Sequence, residues 1–246
     1  MNRLIKKIAL LLFIAGGSYY LFNHISNNSW TLHSVDSIGN SIPISADSDK
    51  DTNIFAENPS SILVLVNKQY TLEDDFRPND LVIPKVLFSE DITDEEKYIR
   101  KEAALALEEL FEKGKEQGFT LIATSGYRSY ETQKRLYEEF VNQLGIEAAE
   151  YRAAKPGNSE HQTGLAMDIT SSEFNYEEYQ DFGETPSGKW VAENAHHFGF
   201  IIRYPEGKEH ITGYQYEPWH LRFVGVQKAT YIYKNQLTFE EFLGEV

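Results

Sequence analysis

The sequence predicts an α+β fold, a small antiparallel sheet flanked by helices. Helical periodicity is clear early in the folded part, whereas short strand-like runs are dispersed and gather late at hairpin-like spacing. A doubly wound parallel sheet would alternate strand and helix instead. The sequence shows no internal repeat and no glycine-rich phosphate loop. Composition agrees: 246 residues, 41% hydrophobic and 13% aromatic, describe a globular chain of one domain plus an appendage.

The appendage comes first. Arg3, Lys6 and Lys7 precede an apolar run from Ile8 to Phe22, and no Lys or Arg follows until Lys50. That asymmetry is a positive-inside pattern with the bulk of the chain outside. Extended through Ile25, the run approaches the ~20 residues of a spanning helix. No clear small-x-small cleavage site follows it. Residues 1–25 are therefore expected to form an N-terminal hydrophobic membrane anchor, with a cleaved signal segment as the alternative. Residues 26–60, rich in Ser, Asn and Asp, read as a polar tether, and 61–246 as the folded domain.

Within that domain Ile62-Leu63-Val64-Leu65-Val66 fits a buried strand. Thr93 and Glu96 form a capping-box pair opening a helix to about Gln117, with Ile99, Ala103, Ala106, Leu107, Leu110 and Phe111 on one face. Phe119–Thr124 reads as a strand. Ser129 caps a helix over Tyr130–Leu144, and another follows over Glu147–Ala154. Leu165–Thr170 is a strand, and Ser187 precedes a helix that Gly199 closes. Strands are expected at Phe200–Tyr204 and within Tyr214–Val224, then helices at Gln227–Asn235 and Phe239–Leu243.

Charge and cysteine content narrow the chemistry. A formal net charge of −15 argues against a nucleic-acid binder, which needs a basic face. Without cysteine there is no disulfide, thiolate metal site or Cys nucleophile, so any metal must use His, Asp or Glu. Of 7 histidines two are informative. His161 follows a Pro-Gly-Asn loop, and Thr163-Gly164 gives a bend that returns the chain beside it. Asp168 then lies in an apolar strand, where a carboxylate is costly unless paired or metal-bound. His220 ends Glu217-Pro218-Trp219-His220. Two imidazoles and a carboxylate are a zinc ligand set that leaves a position for water, with Glu217 in reach of that water as a general base. Arg128, in a loop at a strand–helix junction, is suited to grip a carboxylate or an oxyanion. Ordinary alternatives exist for each: a satisfied loop histidine, a turn aspartate, a surface salt bridge. His196 and His197 read as structural, His210 as solvated, and His24 and His33 as part of the tether.

Three segments together resemble a known family. Ser-x-His-x-x-Gly-x-Ala-x-Asp at 159–168, Glu-Pro-Trp-His at 217–220 and Ser-Gly-Tyr-Arg-Ser at 125–129 are similar to the zinc D-Ala-D-Ala carboxypeptidases of the VanY type. The LD-carboxypeptidases called LdcB share the pattern, and the resemblance spans about Ile62 to Val224. It implies a small α+β unit whose antiparallel sheet holds Zn2+ through His161, Asp168 and His220. It further implies Glu217 as the base, Arg128 as the oxyanion partner, and Ser159, Gln133 and Tyr204 along the substrate pocket. The implied activity is removal of the C-terminal D-Ala from peptidoglycan stem peptides. The alternatives are LD cleavage of tetrapeptide stems, or a non-catalytic zinc-stabilised peptidoglycan-binding module, against which Glu217 and Arg128 speak. The place of action would be the extracytoplasmic face of the cell membrane, through the anchor, or the cell wall after secretion.

Overall fold

The computed structural model of the protein describes residues 33–35, 41–43, 58–174 and 179–246. The chain divides into two units, Met1–Asp47 and Ser48–Val246. In the first, strands β1 (His33–Val35) and β2 (Ser41–Pro43) pair antiparallel, so part of the stretch read as a spacer is a strand pair. The apolar run read as an anchor lies outside the described residues. Among the described residues no helix is long and apolar enough to cross a membrane.

In the second unit the apolar run Ile62–Val66 is not a strand, which corrects the sequence-based expectation. Its side chains alternate as a strand's would. Leu63 and Leu65 join a cluster with Ile201, Val224, Ile232 and Phe239, while Val64 and Val66 join the main core. The carbonyls of Ile62 and Val64 accept from the Arg222 guanidinium at 3.1 and 2.7 Å. A side chain thus satisfies backbone groups that a neighbouring strand would otherwise take.

Strand β3 (Leu81–Val82) pairs antiparallel with β4 (Ile99–Arg100). Between them Thr93 and Glu96 make the reciprocal capping bonds, at 3.2 and 3.3 Å. They open only a 3-10 turn, Glu95–Lys97. The long helix α1 starts later and spans Lys101–Glu116. Pairing of Ile99 with Val82, and the Arg100 N–H to Gly164 carbonyl bond of 2.7 Å, hold the intervening residues extended. Ala103, Ala104, Leu107, Leu110 and Phe111 of α1 are buried at helical spacing.

Then come β5 (Leu121–Ser125), α2 (Tyr130–Leu144), α3 (Ile146–Arg152), β6 (Ala166–Ser171) and α4 (Pro186–Asn194). After them follow β7 (Phe200–Tyr204), the single turn α5 (Glu209–Thr212), β8 (Glu217–Phe223), α6 (Val226–Asn235) and α7 (Phe239–Leu243). The Ser129 hydroxyl caps α2, accepting from the Thr132 N–H at 3.3 Å. Thr185 caps α4, and Ser187, expected to precede the helix, lies in its first turn. Strands β5, β6, β8 and β7 form one antiparallel sheet in that order. The architecture is α+β with antiparallel sheets flanked by helices, as expected.

The period of two along each strand sorts the sheet into two faces. Met167, Ile169, Leu221, Phe223 and Phe200 enter the main core beside Leu107 and Leu110 of α1. The alternate residues, Asp168 on β6, His220 and Arg222 on β8, and Arg203 on β7, share the opposite face. The register sets Asp168 directly across from His220. A slip of one residue would send both into the apolar core, so burial of Met167 and Leu221 also fixes the polar pair.

Candidate active site

His161 sits in a 3-10 turn, Glu160–Thr163, that Gly164 closes in the left-handed conformation at φ +65°. That bend lets β6 run back beside the turn and brings Asp168 to His161, as the sequence spacing required. The His161 Nδ1 faces the Gly126 carbonyl at 2.7 Å, and its Nε2 lies 3.3 Å from Asp168 Oδ2. His220 Nδ1 lies 2.9 Å from Asp168 Oδ1, and its Nε2 lies 3.4 Å from Glu160 Oε2. One nitrogen of each ring is thus occupied on the outer side, and the other faces a shared centre. One donor atom from each of His161, Asp168 and His220 falls within 4.8 Å of the others, in a buried setting. Two imidazole nitrogens and one carboxylate oxygen fit a zinc ion with an open position. The outer bonds are of the kind that orient metal-binding histidines.

Burial and neighbouring charges shift the groups of this site in different directions. Burial pushes the Asp168 carboxyl up, but the imidazoles of His161 and His220 outweigh it and hold it well below the usual carboxylate range. Burial and the Arg128 charge push His161 down, favouring the neutral imidazole that a metal needs. Burial also lowers His220, yet its bonds to Asp168 and Glu160 win and raise it to about 9. Glu217, 4.0 Å from His220 Nδ1, is pushed up to about 8, chiefly by burial.

These groups line a cleft of about 850 Å³. All eight residues singled out from the sequence border it: Arg128, Gln133, Ser159, His161, Asp168, Tyr204, Glu217 and His220. Arg128 Nε and Gln133 Oε1 are buried there without a hydrogen-bond partner among the described residues. The Tyr204 ring centroid lies 5.1 Å from that of His220. By contrast His196, stacked on Tyr233 with ring centroids 4.1 Å apart, belongs to the packing, and His210 is exposed, both as expected.

Sequence reasoning missed Tyr214, whose buried hydroxyl on the cleft wall lacks a partner among the described residues. It also missed Glu160, Arg203 and Arg222. The two guanidiniums meet Glu160 Oε1 at 2.7 and 2.6 Å, all three side chains being fully buried. Burial raises the Glu160 carboxyl, but Arg203 and Arg222 outweigh it and hold it well below the usual range. The signal was available: an arginine within the apolar run of β7 or β8 demands a partner as much as Asp168 does.

Gly126 is the close-approach point of the site. A Cβ there would come within 2.5 Å of the Tyr98 carbonyl and 2.6 Å of that of Glu96. Gly126→Ala must displace the loop whose carbonyl holds His161. We expect a loss of about 1–3 kcal/mol in thermal unfolding, as for overpacked cores, together with weaker metal binding. An unchanged melting temperature would contradict this account.

Comparison with known proteins gives the same picture. The family model described as VanY, D-alanyl-D-alanine carboxypeptidase, matches residues 96–226. YodJ of Bacillus subtilis (strain 168) is 52% identical over 190 residues, covering 77% of this chain and 70% of the relative. The structure of the LdcB LD-carboxypeptidase superposes with a TM-score of 0.73 at 52% identity, covering 77% of this chain and 88% of that one. A mutant of the D,D-pentapeptidase VanY in complex with Zn(II) gives a TM-score of 0.61 at 34% identity, covering 76% of this chain and 99% of that one. With a matched segment that contains His161, Asp168, His220, Glu217 and Arg128, the chain belongs to the VanY family of D-alanyl-D-alanine carboxypeptidases.

Proposed function

We propose that this carboxypeptidase removes the C-terminal D-Ala of peptidoglycan stem peptides at a zinc site formed by His161, Asp168 and His220. The carrying observation is the convergence of those three side chains on the floor of the cleft, with Glu217 beside them. Zinc bound there supplies Lewis acidity toward the scissile carbonyl and lowers the pKa of water. Glu217 takes a proton from the attacking water. The water oxygen bonds to the carbonyl carbon, the C–N bond breaks, and Glu217 returns the proton to the leaving amine. Its raised proton affinity suits a group that must both accept and release. Arg128 offsets charge developing on the carbonyl oxygen. Ser159, Gln133 and Tyr204 line the peptide's path, where the unpaired Gln133 Oε1 is an acceptor for a substrate N–H.

The D-Ala–D-Ala bond of a pentapeptide stem is the reading that the family model supports. One observation favours a second: identity is 52% to the LD-carboxypeptidase LdcB against 34% to the D,D-pentapeptidase VanY. Digestion of defined stems, weighed by mass spectrometry, decides between them. Tetrapeptide released from pentapeptide establishes the D,D activity, and tripeptide from tetrapeptide the L,D activity. Neither product, from a sample that contains zinc, would leave the binding module as the surviving reading. Residues 1–25 would hold the enzyme at the extracytoplasmic face of the cell membrane and 26–60 would give it reach. A net charge of −15 does not draw it to an anionic wall.

A further inference from the structure

We propose that Glu160 is a positioning residue of the metal centre, holding the proton of His220 on Nε2 so that Nδ1 faces the metal. The inference rests on His220 being a ligand. Glu160 is 1% exposed, at the turn that carries His161. A carboxylate in that position costs several kcal/mol unless fully paired. Its two oxygens divide the work. Oε1 accepts from Arg203 Nε at 2.7 Å and from Arg222 Nη1 at 2.6 Å. Oε2 takes neither bond and faces His220 Nε2 at 3.4 Å.

Each guanidinium is completed elsewhere. Arg203 also bonds both oxygens of Glu240 on α7, at 2.9 and 2.6 Å, and Arg222 bonds the carbonyls of Ile62 and Val64. Two carboxylates and two guanidiniums therefore balance in charge, with one carboxylate oxygen left over and turned to the ring. A neutral imidazole that gives Nδ1 to a metal must carry its proton on Nε2, and a buried N–H needs an acceptor. Glu160 Oε2 supplies one that cannot itself donate. Glu240, on the last helix, completes Arg203 and stands outside the contact between Glu160 and His220.

Glu160→Gln tests this because its outcome is directional. Two guanidinium donors at Oε1 require the amide oxygen there, which turns the NH2 toward His220. That NH2 donates to Nε2 and moves the ring proton to Nδ1, the nitrogen facing Asp168 and the metal. We expect a folded variant by near-UV circular dichroism whose zinc affinity, by chelator competition, falls about 10–100-fold. Glu240→Gln is the control. It weakens the same buried ion cluster but touches no ligand, so it should lower the melting temperature and leave zinc affinity within about 3-fold. A folded Glu160→Gln that binds zinc like the unmodified protein would overturn the proposal, as would an equal loss of zinc in Glu240→Gln. If Glu160→Gln does not fold, imidazole 15N spectra of the zinc-loaded unmodified protein decide alone. A proton on Nε2 of His220 with Nδ1 metallated supports the proposal, and the reverse ends it. Absence of zinc from the unmodified protein, or its retention by His220→Ala, would instead remove the reading of the site.

Discussion

Glu217→Ala is expected to keep stoichiometric zinc and lose about 10³-fold in kcat, the scale on which a positioned general base contributes. The separation of the two effects follows from geometry. Each ring's outer nitrogen has a partner in Gly126 O or Glu160 Oε2, and Asp168 lies between the inner ones. Glu217 contributes no hydrogen bond to that trio, standing 4.0 Å from His220 Nδ1. Its proton affinity also has a stability consequence with a definite sign. A carboxyl raised from 4.5 to about 8 binds more protons folded than unfolded between those values. Stability of the metal-free protein therefore falls as pH rises through that window. Glu217→Gln removes this cost, so the metal-free variant should melt higher than its parent near pH 8 and no higher near pH 4. A better-melting, inactive variant is what a strained catalytic group predicts. Hydrolysis by Glu217→Ala within 3-fold of the parent would remove Glu217 from the mechanism.

What was legible in the sequence divides by the range of the forces involved. Helix α2 has the expected bounds, Tyr130–Leu144, because Ser129 and Gly145 act within a few residues of its ends. Strand β7, Phe200–Tyr204, also matches, since Gly199 stops the preceding turn at φ +85°. The run Ile62–Val66 has a strand's composition and alternation, but its backbone partner is the side chain of Arg222, far along the chain. Thr93 and Glu96 cap as their types dictate, yet the ladder at Ile99 interrupts the helix they would start. The site follows the same rule. The three motifs that carry the resemblance hold Arg128, Ser159, His161, Asp168, Glu217 and His220, all of which line the cleft. Glu160 stands beside His161 in the sequence and still escapes notice, because its meaning lies in Arg203 and Arg222, 43 and 62 positions away.

His161→Ala is expected to lose zinc and activity together, and to lose the zinc-dependent part of its thermal stability. A ligand that binds only the folded state stabilises it by RT ln(1 + [L]/Kd), about 4 kcal/mol at 1,000-fold excess over Kd. In the parent, added zinc should therefore raise the melting temperature and a chelator reverse the rise. In His161→Ala neither addition should matter, because two ligands remain where three converged. The variant also leaves the Gly126 carbonyl without its 2.7 Å partner in a buried loop. That adds a zinc-independent loss of about 1–3 kcal/mol. The two losses separate in one titration: the offset between metal-free parent and variant reads the hydrogen bond and packing, and the zinc-induced shift reads the ligand. A variant that still responds to zinc by the parent's full shift would show that His161 is not a ligand, whatever its activity.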